Sequence, residues 1–293
     1  MKKNSIAAWI EAARPKTLPA SISPVLVACA LAWRDGVFSV VPALLCLLVA
    51  LFAQIASNFA NDYFDFKKGA DTEERLGPER AVASGWITPE NMLKGTFITL
   101  GLACLFGCGL LFYAGWKLIP IGIAIALCVL AYSAGPFPLA YNGLGDVCVL
   151  LFYGIIPVCY TYYVQANTFS LLSLILSLAV GVLSVNILIV NNYRDYAQDK
   201  KSKKRTTIVL FGRRFGLIIY LLNGFIAVML TLPLMVLDTF SWQIGLLGAF
   251  FMLFYFIWKE MVRTEGKALN KILGKTGMLV FLYSLIVSAI LLF

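Results

Sequence analysis

Carboxylate and amide side chains gather at the end of an apolar run in the first quarter of the chain. Asn58, Asn61, Asp62 and Asp65 follow one another at spacings of three, one and three residues. On a helix these spacings place all four side chains on one face, because residues three, four and seven apart stack along it. Asp71 follows after a Lys-Lys-Gly turn, close enough to fold back onto the same face. This stretch predicts a helix end that presents several oxygen ligands together.

A second group of the same composition follows a later apolar run, and it consists of Asn191, Asn192, Asp195 and Asp199. Any single aspartate here could be a solvated helix end, but carboxylates at a bilayer edge are costly and usually mark function. Acids brought together also repel one another unless a cation lies between them. Oxygen ligands without His or Cys nearby favour Mg²⁺. The predicted metal ligands are Asp62, Asp65, Asp71, Asp195 and Asp199.

The predicted catalytic residues are four of these ligands: Asp62, Asp65, Asp195 and Asp199. Basic residues flank both acidic groups and supply the donors that phosphate oxygens need. Acids, metal and bases together describe a diphosphate site, and an apolar cavity beneath it would accept a lipid tail. Nearby aromatic side chains are candidates for cation–π support of an allylic carbocation. They are Tyr63, Phe64, Tyr132, Tyr141 and Tyr193. The predicted substrate-binding residues are Arg14, Lys16, Asn58, Asn61, Lys67, Lys68, Arg75, Arg80, Tyr132, Tyr141, Asn191, Asn192, Lys201 and Arg205.

The elements that carry these residues are membrane helices, because the composition is 60% hydrophobic and only 13% charged. Stretches of about twenty apolar residues, the length that crosses a bilayer, recur along nearly the whole chain. The predicted fold is therefore an all-α integral membrane protein. Its nine predicted spans are 18–34, 38–61, 93–114, 117–134, 145–164, 169–192, 215–237, 240–258 and 273–293.

The distribution of basic residues orients the chain in the membrane. With the N-terminus in the cytoplasm, 22 of the 24 Lys and Arg residues fall in cytoplasmic segments, and only Arg34 and Lys117 lie outside. We therefore expect a multi-pass protein of the inner (cytoplasmic) membrane, with its N-terminus and active site on the cytoplasmic side. This basic rim accounts for the net charge of +9 without a nucleic acid, and it suits anionic lipid or a phosphorylated substrate.

The whole chain, 1–293, is predicted to form a single polytopic domain. Residues 1–17 form an amphipathic segment that we expect in the membrane interface, and no cleavable signal peptide is evident. Two Asp-rich cytoplasmic loops are expected at 58–92 and 191–214. The acidic groups end the second and sixth predicted spans. A duplicated four-helix unit plus a ninth helix, with both groups facing one central cavity, is therefore a further hypothesis.

Histidine is absent from the sequence. This excludes Ser–His and Cys–His catalysis, the usual His-containing zinc sites and His-ligated haem. The seven cysteines occur singly in apolar spans without a Cys-x-x-Cys motif, so ordinary packing is their simplest interpretation.

Several stretches resemble the UbiA superfamily of membrane prenyltransferases. The segments ANDYFDFKKGAD and NNYRDYAQD are similar to its two Asp-rich motifs. The likeness continues in ARPKTLPASISPVLVACALA and YSAGPFPLAYNGLGD, and in order and spacing it resembles the branch that prenylates 1,4-dihydroxy-2-naphthoate in menaquinone biosynthesis. It covers about residues 10–220, whereas the last three predicted spans match only in hydropathy.

The resemblance implies a nine-helix fold with a cytoplasmic cap over a central cavity, and Mg²⁺-dependent diphosphate binding. The residues that it assigns to the two motifs are Asn61, Asp62, Asp65, Asp195 and Asp199. Where the first motif often ends in an Asp, this chain has Gly69, and Asp71 follows two residues later. The resemblance therefore leaves the role of Asp71 open.

The implied reaction transfers an all-trans polyprenyl group from polyprenyl diphosphate to the ring of 1,4-dihydroxy-2-naphthoate, with loss of the carboxylate, and gives demethylmenaquinol. The expected partners are these two substrates and the lipid bilayer, with no nucleic acid and no obligatory protein partner. A related prenyltransferase with another acceptor, such as 4-hydroxybenzoate, is the nearest alternative. A cation-coupled transporter is a remote one, because it would need acids near the bilayer midplane rather than at helix ends.

Overall fold

The computed structural model describes residues 2–69, 75–234 and 242–293. Within these ranges all regular elements are helical. The α-helices are α1 (Ile6–Ala13), α2 (Leu18–Arg34), α3 (Val40–Lys67), α4 (Pro89–Ala114), α5 (Ile119–Ala131), α6 (Gly145–Leu150), α7 (Ile156–Ala166), α8 (Leu171–Arg194), α9 (Tyr196–Lys201), α10 (Thr207–Phe211), α11 (Arg213–Thr231), α12 (Trp242–Arg263) and α13 (Leu269–Leu292). A π-helical turn, Leu151–Ile155, joins α6 to α7. Short 3₁₀ turns lie at Pro15–Thr17, Trp116–Leu118, Leu139–Tyr141, Leu232–Leu234 and Gly266–Ala268.

In the described part of the chain, eight helical stretches are long and apolar enough to cross a membrane. They are Ile6–Arg34, Val40–Lys67, Pro89–Ala114, Gly145–Ala166, Leu171–Arg194, Arg213–Leu234, Trp242–Arg263 and Gly266–Leu292. The fourth predicted span, 117–134, corresponds to a shorter apolar stretch, Trp116–Ala131. Gly115 at positive φ separates this stretch from α4, and the chain leaves the helix before Pro136, where a proline cannot continue it. The prediction of an all-α membrane fold is confirmed.

Helix α1 and residues 75–88, which we call the cap segment, cover the end of the bundle at which α3 and α8 finish. We call this end the polar end. Trp9 of α1 packs edge-on against Phe59 of α3, with ring centroids 5.3 Å apart. The backbone N–H of Asn4 donates to the carbonyl of Trp86 at 2.7 Å. Both contacts tie the N-terminal segment to the cap segment and α3.

Local sequence signals explain how the cap begins and ends. Helix α1 ends at Arg14, which adopts a left-handed conformation (φ 55°), because the following Pro15 disfavours helical geometry in the residue before it. Helix α4 begins at Pro89, and Thr88 is its N-cap, with its hydroxyl accepting the N–H of Asn91 at 3.3 Å. The Thr-Pro pair thus closes the cap segment and starts the next helix.

The main packing pairs are α3 with α4, α2 with α13, and α8 with α11. The π-helical turn approaches α8 closely at two glycines. A Cβ on Gly154 would lie 2.4 Å from the Cα of Gly181 and 2.6 Å from the carbonyl oxygen of Ser177. Only residues without side chains allow this backbone contact, which sets how closely the π-helical turn and α8 approach each other.

Candidate active site

A cavity of about 780 Å³ opens between α2, α3, α4, α5, α7, α8 and α13. Its walls are mainly apolar away from the polar end, where they become charged. No residue of α11 or α12 lines it in the described ranges, so these two helices support the bundle from outside. The predicted site residues that line the cavity are Arg14, Lys16, Asn58, Asn61, Asp62, Asp65, Arg75, Arg80, Tyr132, Tyr141 and Asn191.

Asp65 stands where the cap segment meets the cavity. Its Oδ2 accepts from Nη2 of Arg80 at 3.3 Å, and its Oδ1 accepts from the hydroxyl of Tyr141 at 3.0 Å. The carboxylate thereby contacts two other predicted substrate-binding residues, one in the cap segment and one in the loop after α5.

Tyr141 links the two acidic groups that lie far apart in sequence. Nζ of Lys204 lies 5.3 Å from its ring centroid and 3.8 Å from Oδ1 of Asp199. Nζ of Lys68 lies 4.5 Å from the same ring. Asp65 thus binds the hydroxyl of this tyrosine, and Asp199 pairs with a lysine that lies over the ring of the same tyrosine, which gives a single mixed-charge site rather than two separate ones.

Asp199 carries the clearest electrostatic signature of the site. Burial raises the pKa of its carboxyl to about 6, against the opposing effect of Lys204, and the nearby Asp195 and Asp65 raise it further. Its Oδ2 is buried without a hydrogen-bond partner among the described residues. A buried carboxylate oxygen without a donor is costly, so this position calls for a cation or a donor group.

Asp62 makes a different kind of contact from Asp65. Its two carboxylate oxygens accept the backbone N–H groups of Ala81 and Val82, at 3.0 and 3.2 Å. The side chain is 2% exposed. Asp62 thus anchors the cap segment to α3.

Asp195 is paired with the preceding residue, Arg194. Nε and Nη2 of Arg194 donate to its two oxygens at 2.8 and 2.6 Å, and Nη2 also donates to Oδ1 of Asn191 at 2.7 Å. Asp195 does not line the cavity, whereas Asn191 does. The second acidic group therefore reaches the cavity through Asn191. Asp199 does not line the cavity either, but it lies next to Lys204, which does.

The amides of the first group form a buried chain towards the middle of the cavity. Tyr153 donates its hydroxyl to Oε1 of Gln54, whose Nε2 donates to Oδ1 of Asn58 at 3.3 Å. Nδ2 of Asn58 then donates to the carbonyl of Ala13 at 2.9 Å. Asn61 accepts from the hydroxyl of Ser133. Asn58 thus fixes the α1 junction, and Asn61 joins α3 to the loop after α5.

The remaining predicted residues lie away from the main cavity. Asn192 lines a second cavity of about 10 Å³, and its Oδ1 has no partner there. Lys67, Lys201 and Arg205 are exposed; the backbone N–H of Arg205 donates to the carbonyl of Tyr141 at 2.9 Å. Lys68 is also exposed and donates to the carbonyl of Ser133 at 2.6 Å. Asp71 lies outside the described residues.

The structure adds Lys204, Ser133, Arg194 and Asn270 to the site. Lys204 and Arg194 lie in sequence next to Asp199 and Asp195, so the local charge pattern indicates that each basic residue is close to its acidic partner. Ser133 opens the Pro/Gly/Tyr-rich turn after α5, but nothing in the sequence pairs it with Asn61. Asn270 lies in a basic amphipathic stretch that carries no functional signal of its own.

The oxygen-rich, histidine-free donor set fits Mg²⁺. No three acidic side chains in the described ranges lie close enough to enclose a metal by themselves. Mg²⁺ characteristically takes one or two carboxylates and completes its shell with water and substrate phosphate. Asp65 lines the cavity, and Asp199 lies behind Lys204, so the site offers two carboxylates. Arg75, Arg80 and Lys204 lie on the cavity wall.

Comparison with known proteins agrees with this geometry. Residues 21–288 match the model of the UbiA prenyltransferase family. The chain is 38% identical over 211 residues to 1,4-dihydroxy-2-naphthoate octaprenyltransferase of Escherichia coli (strain K12), covering 70% of this chain and 68% of that one. It is 34% identical over 242 residues to the Haemophilus influenzae protein of the same name, covering 80% and 79%.

The solved structures agree in fold. A UbiA homologue from Archaeoglobus fulgidus, bound to DMAPP and Mg²⁺, superimposes with a TM-score of 0.67 at 18% identity, over 97% of this chain and 98% of that one. The family model and the structural superposition both extend over most of α11–α13, where the sequence motifs give no guidance. The chain therefore belongs to the UbiA prenyltransferase family.

Proposed function

We propose that this protein transfers an all-trans polyprenyl group from polyprenyl diphosphate to 1,4-dihydroxy-2-naphthoate, releasing CO₂ and diphosphate and giving demethylmenaquinol. One observation carries the proposal: the two acidic groups meet around Tyr141 and Lys204 at the mouth of an apolar cavity. A charged mouth suits a diphosphate and an apolar interior suits its lipid tail. The names of the bacterial relatives support the naphthoate acceptor.

The residues that would hold Mg²⁺ are Asp65, on the cavity wall, and Asp199, which lies next to the wall residue Lys204. Asn61 and Asn191 also line the cavity. The bound ion would neutralise the charge that develops on the leaving diphosphate. Arg75, Arg80 and Lys204 are positioned to donate to the diphosphate oxygens. The guanidinium of Arg80, already on Asp65, would hold the diphosphate beside that carboxylate.

The apolar cavity would hold the prenyl chain and keep water from the reacting carbon. The C–O bond of the prenyl diphosphate breaks, and a C–C bond forms at the ring carbon that carries the carboxylate. That carboxylate leaves as CO₂, and its bonding electron pair restores the aromatic ring. No proton has to be removed from this carbon, so the step needs no histidine base, in keeping with a chain that contains none.

The proposal also places the polar end in the cytoplasm. The positively charged segments of the described chain converge there, and basic residues concentrate in cytoplasmic loops of membrane proteins. The diphosphate headgroup and the naphthoate would then both reach the cavity from the cytoplasmic face, while the prenyl tail stays in the bilayer.

The direct test is an assay on membranes that contain this protein, with Mg²⁺, a long all-trans polyprenyl diphosphate and carboxyl-labelled 1,4-dihydroxy-2-naphthoate. We expect labelled CO₂ together with a product of demethylmenaquinol mass, and neither in the presence of EDTA. Membranes carrying Lys117→Ala, which changes an exposed residue beside α5 and away from the acidic groups, should match the unaltered protein.

A parallel reaction with 4-hydroxybenzoate tests the acceptor. Prenylation of 4-hydroxybenzoate without CO₂ release from the naphthoate would contradict the proposed substrate, although the diphosphate site would stand. Inactivity towards both acceptors in folded protein would contradict the proposed reaction.

A further inference from the structure

Arg194 is a buried charge with an unusually complete set of partners. The residue is 4% exposed. Besides its bonds to Asp195 and Asn191, it donates from Nη1 to Oδ1 of Asn270 at 2.7 Å. A buried guanidinium is tolerated when its donors are paired, and here they hold three side chains in fixed positions. One of those side chains, Asn270, belongs to α13.

Asn270 passes the contact on to the cap segment. Its Nδ2 donates to the carbonyl of Leu76 at 2.8 Å, across 194 residues of sequence. The next residue, Gly77, lies directly against the guanidinium: a Cβ there would be 2.8 Å from Nη2 and 3.1 Å from Cζ of Arg194. The cap segment therefore rests on Arg194 and is hydrogen-bonded to α13 at the same point.

The cap segment is held at two places. Asn270 holds it at Leu76, and Asp62 holds it at Ala81 and Val82. Arg80 lies between these two anchors, and Arg75 directly precedes the first. Both arginines line the cavity. Arg80 is held by Asp65 and by the neighbouring Asp62 anchor, whereas the position of Arg75 depends on the contact between Asn270 and Arg194.

We propose that Arg194 and Asn270 are positioning residues that bind the cap segment to the second acidic group, so that both close on one diphosphate. The inference rests on the proposed function for the identity of the ligand. Release of Asn270 frees the Leu76 end of the cap segment while the Asp62 anchor stays in place. Arg75 then loses its fixed orientation towards the diphosphate, although it has not been changed, while Arg80 stays on Asp65.

Asn270→Ala tests this in the full-length protein in detergent or nanodiscs. We expect amide hydrogen exchange in residues 75–82 to accelerate about tenfold without any ligand, as loss of one hydrogen bond would allow. The Kd for geranylgeranyl diphosphate with Mg²⁺ should rise by a similar factor, and the exchange of α11 and α12 should not change. Lys271→Ala, which alters the neighbouring exposed residue, is the matched control and should change neither quantity.

Asn270→Asp separates the two contacts. It keeps an acceptor for Arg194 and removes the donor to Leu76, so exchange in residues 75–82 should accelerate as in Asn270→Ala. Unchanged exchange in both variants would overturn the proposal. Faster exchange with an unchanged diphosphate Kd would also overturn it, because the contact would then be structural only. These measurements need no turnover, so they stay decisive even if the wild-type protein prenylates neither acceptor.

Discussion

Four aspartates that look equivalent in sequence have four different environments. Asp62 accepts backbone amides of the cap segment, and Asp195 pairs with Arg194. Asp65 faces Arg80 and Tyr141, and one buried oxygen of Asp199 has no partner in the part of the chain that the structure describes. At the scale of single residues, the metal and the diphosphate should therefore depend most directly on Asp65 and Asp199.

Replacing Asp62 and Asp65 should have contrasting effects. In Asp62→Asn, an amide N–H₂ faces one backbone N–H, so we expect a loss of about 1–3 kcal/mol in the free energy of unfolding. Asp65→Asn keeps an oxygen acceptor for Arg80 or Tyr141, so its melting temperature should fall less than that of Asp62→Asn. Its kcat should fall on the order of a hundredfold, because the change removes charge beside the diphosphate. Thermal unfolding in detergent and the CO₂ assay measure the two effects. Equal melting temperatures with equal loss of turnover would contradict this division of roles.

The raised pKa of Asp199 predicts a pH-dependent affinity for Mg²⁺. The ion binds the ionised carboxylate, so protons compete with it, and the affinity should rise with pH up to about 6 and then level off. Between pH 7 and pH 5 the affinity should fall about tenfold, as expected for one carboxyl with this pKa. Mg²⁺ titrations at several pH values measure it. Asp199→Asn should abolish the dependence, and a midpoint near pH 4 in the wild type would contradict the assignment.

The sequence predicts which side chains share a helix face better than it predicts their tertiary contacts. The spacing of Asn58 to Asp65 correctly predicts a common helix face, because it depends only on helical periodicity. The hydrogen bond between Arg194 and Asn270 joins residues 76 positions apart in the sequence, and the bond from Asn270 to Leu76 joins residues 194 positions apart. Such contacts depend on how α8 and α13 pack, which no local pattern encodes.

At the scale of elements, the π-helical turn before α7 determines how closely α8 can approach the cavity. Gly154→Ala would bring a Cβ to 2.4 Å from the Cα of Gly181, where only backbone can yield. We expect destabilisation of about 1–3 kcal/mol, as for other overpacked sites, with reduced turnover because α8 carries the second acidic group. Gly101→Ala in α4 meets no neighbour within 4 Å and is the control. Comparable melting temperatures for the two variants would contradict a role for this contact.

The short fifth helix shows what hydropathy alone leaves undetermined. Apolar length predicts that 117–134 crosses the membrane like the other spans, but α5 covers only Ile119–Ala131. Gly115 and the Gly-Pro pair at 135–136 mark its limits in the sequence. That these residues shorten α5 can be predicted from their types. The way in which residues 132–146 fold back and bring Tyr141 to Asp65 depends on tertiary contacts.

At the scale of the whole molecule, the proposed orientation makes a labelling prediction. In a cysteine-free background, a membrane-impermeant maleimide added to intact cells should label Lys117→Cys and leave Lys200→Cys unlabelled until the membrane is permeabilised. Both positions are exposed, so accessibility does not distinguish them. The reverse pattern would place the polar end on the opposite side of the membrane.

The central claim is that two acidic groups far apart in sequence form one diphosphate site. The measurement that tests it most directly is the Kd of geranylgeranyl diphosphate with Mg²⁺ in Asp65→Asn, Asp199→Asn and the double variant. Each single change should raise the Kd at least about tenfold. The rise in the double variant should be much smaller than the product of the two single rises, because both changes act on one bound ligand. Losses that simply multiply, or a single variant with unchanged affinity, would contradict a common site.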